Sequence, residues 1–214
     1  MNKLKISVTK IVGECTSSPP MEKGDWFTVD NGDIRIPAGS FVCAWALQNI
    51  LPLLPAKERR IAESRKVDWM WRVHHVQCPD PKGRVVFKID KVRAGAKEDG
   101  AGAMKERTSA SVGSAKSVAS PAASPALTRP LRVVVDEVRG KCTSRHKKGD
   151  EFRLDGCRLT IPAGGHFCLY AVQAVLPFVA AKARKLEDGD WLKEDDRFIC
   201  PDPAGNVILR IEVL

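Results

Sequence analysis

The sequence contains an internal repeat, and this repeat limits what the chain can fold into more than any other feature. Short segments of the first half return in the same order in the second half, with only two small length changes between them. A return of this kind is typical of two copies of one structural unit, so each copy must fold from elements that occur twice. The matching segments are residues 4–8 and 131–135, 13–17 and 140–144, 23–27 and 148–152, 36–39 and 161–164, and 78–81 and 200–203.

The segment between the copies has a different composition. Residues 93–130 are rich in Ala, Ser, Gly, Lys and Pro, and their apolar residues show no periodicity. Such a segment does not bury enough apolar surface to offset its chain entropy. The sequence therefore predicts a first repeat domain at 1–92, a flexible linker at 93–130 and a second repeat domain at 131–214.

Alternation of apolar and polar residues predicts strands at 4–11, 26–29, 34–36 and 84–92 in the first copy. The second copy has matching patterns near 131–138, 151–154, 158–161 and 206–213. A helix is predicted to follow Ser40 as its N-cap, with Pro52 either kinking it or starting another, and a second helix is predicted near 165–186. These patterns predict an α+β fold of two similar small domains, each a mostly antiparallel sheet of three or four strands packed on one helical layer.

The charge and the amino-terminal segment narrow the class of protein. The formal net charge is +9, and the basic excess lies in residues 1–130, which permits weak, non-specific binding of nucleic acid. Residues 1–10 alternate and contain no long apolar run. We therefore expect neither a signal peptide nor a membrane span, and we expect a cytoplasmic protein.

Three cysteines recur in both copies, while the seventh, Cys157, falls where the first copy has Gly32. In a reducing compartment such cysteines are free thiols, metal ligands or catalytic groups rather than a disulfide framework. The helical cysteine of each copy is predicted in the first helical turn, and the other two are predicted near strand ends, so the three could converge on one edge of the domain. The recurring residues are Cys15, Cys43 and Cys78 in the first copy and Cys142, Cys168 and Cys200 in the second.

Three roles for these cysteines are open. Three thiolates with His146 would form a Cys3His set suited to zinc or iron, although no C-x-x-C pair is present. Cys43 or Cys168 would be a redox or nucleophilic thiol if the amide groups of the helix terminus lowered its pKa, with a nearby histidine as base. Alternatively, the cysteines are small buried core residues.

The order of motifs resembles a family of small prokaryotic three-cysteine proteins of about one repeat's length. The shared pattern is G-x-C, then K-G-D, then a cysteine on a helix, then C-P-D before the last strand. The resemblance covers nearly all of both copies and implies a tandem member of that family, but no reaction. The family often has a histidine just before K-x-G-D; His146 stands there in the second copy, whereas Met21 replaces it in the first.

Polar residues also recur at corresponding positions. Asp25 and Asp150 follow Lys-Gly, and Asp80 and Asp202 lie between prolines, which favours turns in which the carboxylate binds nearby backbone. Two glutamines occur in apolar helical stretches and would need partners if they were buried; they are Gln48 and Gln173.

The chain has no P-loop, dinucleotide-binding, zinc-protease or nucleophile-elbow motif, which argues against the common machinery of those enzymes. Whether the protein is an enzyme is left open. The preferred hypothesis is a tandem-repeat binding or accessory module that pairs its own repeats or binds a protein partner. The alternatives are a metal- or thiol-dependent enzyme that uses the cysteines, and a non-specific nucleic-acid binder that uses the basic first half and linker.

Overall fold

The computed structural model describes residues 1–59, 74–92, 129–194 and 196–214. The predicted linker, apart from residues 129 and 130, lies outside these residues. In the first half they form strands β1 (Leu4–Ile11), β2 (Trp26–Asp30), β3 (Asp33–Arg35), β4 (Val42–Cys43), β5 (His75–Gln77) and β6 (Val85–Lys91), helices α1 (Ala44–Ile50) and α2 (Leu54–Glu58), and a 3₁₀ turn at Leu51–Leu53.

The second half of the chain has a similar order of elements. It forms strands β7 (Leu131–Val138), β8 (Glu151–Asp155), β9 (Arg158–Thr160), β10 (Phe167–Cys168), β11 (Arg197–Ile199) and β12 (Val207–Val213), with helices α3 (Leu169–Lys182) and α4 (Trp191–Glu194).

The longer strands form where the sequence alternates. In β1 the side chains of Leu4, Ile6 and Val8 are buried, while those between them are partly exposed. Because side chains of a strand point alternately to its two faces, this pattern places one face of β1 on the core. The predictions for β1, β2 and β6, and for β7, β8 and β12, agree with the structure to within one or two residues at each end.

The strands form two antiparallel sheets in a mixed α+β fold. The first sheet has the order β10-β3-β2-β1-β6-β5, and the second has the order β4-β9-β8-β7-β12-β11 when it is read from its matching edge. Each sheet therefore has six strands, and the prediction of three or four was too low. The additional strands are only two or three residues long, which is too short for alternation to reveal them.

The outermost strand at one edge of each sheet comes from the other half of the chain. β4 of the first half pairs with β9, with Val42 opposite Leu159. β10 of the second half pairs with β3, with Phe167 opposite Ile34. This reciprocal strand exchange covers an open edge of both sheets, and a single buried apolar cluster includes residues of both halves.

The helices start directly after the exchanged strands. Cys43 and Cys168 are the N-cap residues of α1 and α3 and have extended backbone conformations, so they precede the first helical turn in which they were predicted. Ser40 is not the N-cap, which was a wrong prediction. It lies three residues earlier, and its buried hydroxyl finds no hydrogen-bond partner among the residues that the structure describes.

The prolines after these helical starts have different effects in the two halves. Pro52 lies in the 3₁₀ turn between α1 and α2, so the first helix is broken there. Pro177 lies inside α3, which continues to Lys182. In the described part of the chain, no helix is both long and apolar enough to cross a membrane.

Candidate functional site

The G-x-C and C-P-D segments of the first half meet through backbone hydrogen bonds. The N–H of Gly13 donates to the carbonyl of Gly83 over 3.0 Å, and the N–H of Glu14 donates to that of Lys82 over 3.1 Å. A Cβ atom on Gly13 would lie 1.9 Å from the Lys82 carbonyl oxygen. Only glycine permits this approach, which brings the segment containing Cys15 against the one that follows Cys78.

The second half makes the same contact. The N–H groups of Gly140 and Lys141 donate to the carbonyls of Gly205 and Ala204 over 3.0 and 2.8 Å. A Cβ atom on Gly140 would lie 2.1 Å from the Ala204 oxygen. The glycine of each G-x-C motif is therefore explained by close backbone packing rather than by ligand binding.

The aspartate of each C-P-D motif holds its own loop. Asp80 accepts hydrogen bonds from the N–H groups of Lys82 and Gly83, over 2.9 and 3.1 Å, and from the Thr16 hydroxyl over 2.8 Å. These bonds, led by that from Lys82, lower the pKa of Asp80. Asp202 accepts the matching bond from the N–H of Ala204 over 2.9 Å.

The three recurring cysteines of each half line one cavity. The cavity of the first half, which we call the first cavity, has a volume of about 290 Å³. The cavity of the second half, the second cavity, has a volume of about 390 Å³. Residues at eight corresponding sequence positions line both: Cys15, Thr16, Ser17, Cys43, Trp45, Cys78, Pro79 and Asp80 in the first, and Cys142, Thr143, Ser144, Cys168, Tyr170, Cys200, Pro201 and Asp202 in the second.

The two cavities also differ. Cys157 of the second half reaches the first cavity, so that cavity is lined by four thiols. The second cavity is lined in addition by His146, Ala171 and Val207. Sequence reasoning set Cys157 aside because it has no counterpart in the first half, and its role could not be seen before the strand exchange was known.

Both ring nitrogens of His146 form hydrogen bonds, and these fix the orientation of the ring. Its Nε2 accepts the backbone N–H of Cys168 over 3.0 Å, so Nδ1 carries the proton and donates to the Asp150 carboxylate over 3.1 Å. The ring stacks on His166 and packs against Phe167. Burial lowers the pKa of His146, which keeps the ring neutral. With its one lone pair used by an amide, this ring cannot bind a metal ion or accept a proton from the Cys168 thiol.

The residue at the same place in the first half is apolar. Met21 is 3% exposed and belongs to the core. The polar ring of His146 therefore contacts the exchanged strand β10, whereas the corresponding position of the first half is filled by an apolar core side chain.

The thiols differ in acidity. Burial raises the pKa of Cys78 and of Cys168. A hydrogen bond with Cys157, together with burial, raises the pKa of Cys43. The same hydrogen bond lowers the pKa of Cys157 to about 7. Cys157, rather than Cys43 or Cys168, is thus the cysteine whose surroundings favour the thiolate.

A metal site does not follow from this geometry. Among the residues that the structure describes, no group of three or more His, Cys, Asp or Glu side chains is arranged to hold a metal ion. The predicted Cys3His set for zinc or iron surrounds the second cavity, but His146 is committed to other partners there.

The other predicted polar residues lie apart from the cavities or hold the backbone. Asp25 accepts the N–H of Glu22 over 2.7 Å, and Asp150 accepts that of Lys147 over 2.9 Å. Gln48 and Gln173 are both exposed; Gln48 lines a separate cleft of about 310 Å³ between the two halves.

An aromatic residue is exposed beside each cavity, a feature that sequence reasoning missed. Trp45 and Tyr170 occupy the same position in α1 and α3, two residues after the helical cysteine, and are 46% and 41% exposed. Their matched positions could have been noticed in the repeat.

Comparisons of the chain with models of protein families, with curated proteins and with solved structures find no match.

Proposed function

We propose that the chain is a tandem-repeat binding module in which two copies of one unit each present a cysteine-lined cavity to a small ligand. The observation that carries this proposal is that the same eight sequence positions line both cavities. The repeat has lost many matches elsewhere in its sequence. A surface that is built twice from corresponding residues is more simply explained by a shared binding role than by packing alone.

The chemistry that the two cavities have in common favours binding over catalysis, since Cys157, the thiol with a lowered pKa, lines only the first of them. A catalytic thiol needs a base or a lowered pKa. In the second cavity the pKa of Cys168 is raised, and the lone pair of His146 is occupied. Asp80 is held by backbone amides and by a hydroxyl.

The walls indicate the kind of ligand. Thiols, a proline and an aromatic ring line each cavity, a threonine and a serine provide hydroxyl groups, and Asp80 or Asp202 provides a carboxylate. Apolar walls with a few polar groups are typical of sites for small molecules, and their volumes begin at about 300 Å³. The ligand class that fits is small, uncharged and partly aromatic, with a ring that can stack on Trp45 or Tyr170.

The strand exchange supports the expected pairing of the two repeats. Each half completes the sheet of the other, and the exchanged residue Cys43 or Cys168 then lines a cavity. Pairing of the halves and formation of the cavities are therefore linked, which gives a reason for two copies in one chain.

Protein NMR with a library of small uncharged aromatic fragments tests the proposal. We expect one chemical series to shift backbone amide signals around both cavities. Thr16 and Thr143 are exposed at the two mouths, so Thr16→Trp should remove binding to the first cavity only and Thr143→Trp to the second only. Lys148→Trp, in an exposed turn, is the control and should remove neither. Fragments that bind only elsewhere, or that ignore both threonine variants, would refute the proposal.

The other predicted functions are separated by two further measurements. Elemental analysis of anaerobically purified protein would support the metal hypothesis if it found about one zinc or iron per half. Binding of duplex DNA that falls steeply with added salt would support the nucleic-acid hypothesis.

A further inference from the structure

Cys157 lies in a tight turn beside the exchanged strand. The turn Gly156-Cys157 joins β8 to β9, and Gly156 has a φ of 58°. The carbonyl of Cys157 accepts the N–H of Ala44 over 2.7 Å. This bond holds Cys157 against the residue that follows Cys43, although the two cysteines are far apart in the chain.

The other exchange contact has the same backbone bond without the thiol. There the N–H of Leu169 donates to the carbonyl of Gly32 over 2.8 Å. The Tyr170 ring lies 3.6 Å from where a Cβ of Gly32 would be. The second cavity therefore has the recurring cysteines alone, and it provides a control within the same molecule.

Cys43 and Cys157 are neighbours with different surroundings. Both side chains line the first cavity, and Cys43 is paired in the sheet with Arg158, the residue that follows Cys157. Cys43 is 6% exposed. Cys157 is only partly buried and lines both the first cavity and the cleft between the halves, so a small oxidant can reach it from two sides.

We propose that Cys157 and Cys43 form a reversible disulfide that joins the two halves of the chain, with a peroxide as the oxidant. The sulfur of Cys157 attacks one oxygen of hydrogen peroxide and breaks the O–O bond. Cys157 becomes a sulfenic acid and is thereby oxidised by two electrons, and the other oxygen of the peroxide leaves as hydroxide, which takes up a proton to become water. The Cys43 sulfur then displaces the hydroxyl group of the sulfenic acid, the S–S bond forms, and the thiol proton of Cys43 leaves with that hydroxyl as a second water. A dithiol reductant reverses the reaction by thiol–disulfide exchange.

The acidities of the two thiols suit these roles. A pKa of about 7 for Cys157 leaves about half of its thiol ionised at neutral pH, against about 1% for a thiol at the ordinary value of 9.0. Lower basicity also weakens the nucleophile, and the net gain in rate is roughly fivefold to tenfold. Cys43, with its raised pKa, keeps its proton until Cys157 has been oxidised.

The disulfide does not require a ligand in either cavity, so it is independent of the proposed binding function. It would fix β4 to the turn between β8 and β9, which is one of the two exchange contacts. The oxidised chain should therefore be more resistant to unfolding than the reduced chain.

The test is peroxide treatment of the reduced, folded, full-length chain, followed by alkylation of the remaining thiols and mass spectrometry of the peptides. We expect one disulfide, between Cys43 and Cys157, with Cys142, Cys168 and Cys200 alkylated, and its loss after treatment with dithiothreitol. Cys157→Ser should abolish it. Cys168→Ser, at the position of the second cavity that corresponds to Cys43, should leave its rate unchanged.

Two further readings complete the test. Before oxidation, iodoacetamide at neutral pH should modify Cys157 at least about fivefold faster than Cys168. Oxidation should raise the melting temperature of the wild type above that of its reduced form, and it should not raise that of Cys157→Ser. No disulfide, a disulfide through Cys15 or Cys78, or a disulfide that forms equally fast in the second cavity would each overturn the proposal.

Discussion

The strand exchange predicts that the two halves stay together when the chain between them is cut. A protease site inserted between Ala110 and Ser111, within the predicted linker, allows the folded protein to be cleaved into two fragments. Each fragment supplies an edge strand to the sheet of the other. We therefore expect the cleaved protein to elute as one particle of unchanged size, and to separate only in denaturant.

The strength of the contact can be tested with one buried side chain. Val42 is 1% exposed and lies opposite Leu159 of the other half. Changing it to alanine removes two methyl groups, and at about 0.8 kcal/mol for each, plus the cavity left behind, the loss is about 2 kcal/mol. Because about 1.4 kcal/mol corresponds to a tenfold change in an equilibrium constant, the dissociation constant of the two fragments should rise about 30-fold.

Val8→Ala is the matched control. Val8 is 2% exposed, but it lies in β1 between two strands of its own half. Both variants should lower the melting temperature of the uncut chain by similar amounts, whereas only Val42→Ala should raise the dissociation constant of the two fragments by about 30-fold. Analytical ultracentrifugation over a dilution series measures this. Fragments that separate at once, or equal effects of the two variants on association, would refute the exchange.

Two more predictions concern His146 and the glycine of the G-x-C motif. Burial holds the pKa of His146 below its ordinary value of 6.5, so the unfolded chain binds a proton that the folded chain excludes, and stability falls as the pH drops below that value. The unfolding free energy of His146→Gln, measured by urea titration from about pH 7.5 to 5, should therefore fall less steeply than that of the wild type. Equal slopes would contradict a buried neutral ring. Gly13→Ala places a methyl group 1.9 Å from the Lys82 carbonyl oxygen. The backbone must move apart to accept it, which should lower the free energy of unfolding by about 1 to 3 kcal/mol and lower the melting temperature with it. Val12→Ala, at an exposed position, is the control and should change the melting temperature little.

Local patterns predicted the parts of the fold that are held by local chemistry. The alternation of β1 depends on neighbours in sequence, as does the Asp30-Asn31-Gly32 segment, which predicts a tight turn between two strands. Both features are found in the structure. Asn31 and Gly32 have φ values of 52° and 81°, which two-residue hairpins of this kind require. The convergence of the three cysteines of each half followed from their places at the ends of elements.

Features that depend on the other half of the chain left no signal in the sequence. Strands β4 and β10 are two residues long, and their partners lie more than a hundred positions away. The fourth thiol of the first cavity was overlooked for the same reason. His146 was open to two interpretations because a buried histidine and a ligand histidine look alike until the partner of each nitrogen is known.

The two exchange contacts are built on the same backbone pattern but on different side-chain chemistry. At one contact the Arg158 guanidinium lies 5.2 Å from the centre of the Phe41 ring. At the other, Nε2 of His166 lies 3.6 Å from the Asp33 carboxylate. If two second halves exchanged strands with each other, the imidazole of one, whose Nε2 already donates to the Ser144 carbonyl over 2.8 Å, would lie beside the guanidinium of the other. Neither the Asp33 carboxylate nor the Phe41 ring would then be present at that contact. If two first halves did so, a phenyl ring would face a buried carboxylate that gains nothing from it. We therefore expect each self-pairing to be less favourable than the pairing between unlike halves.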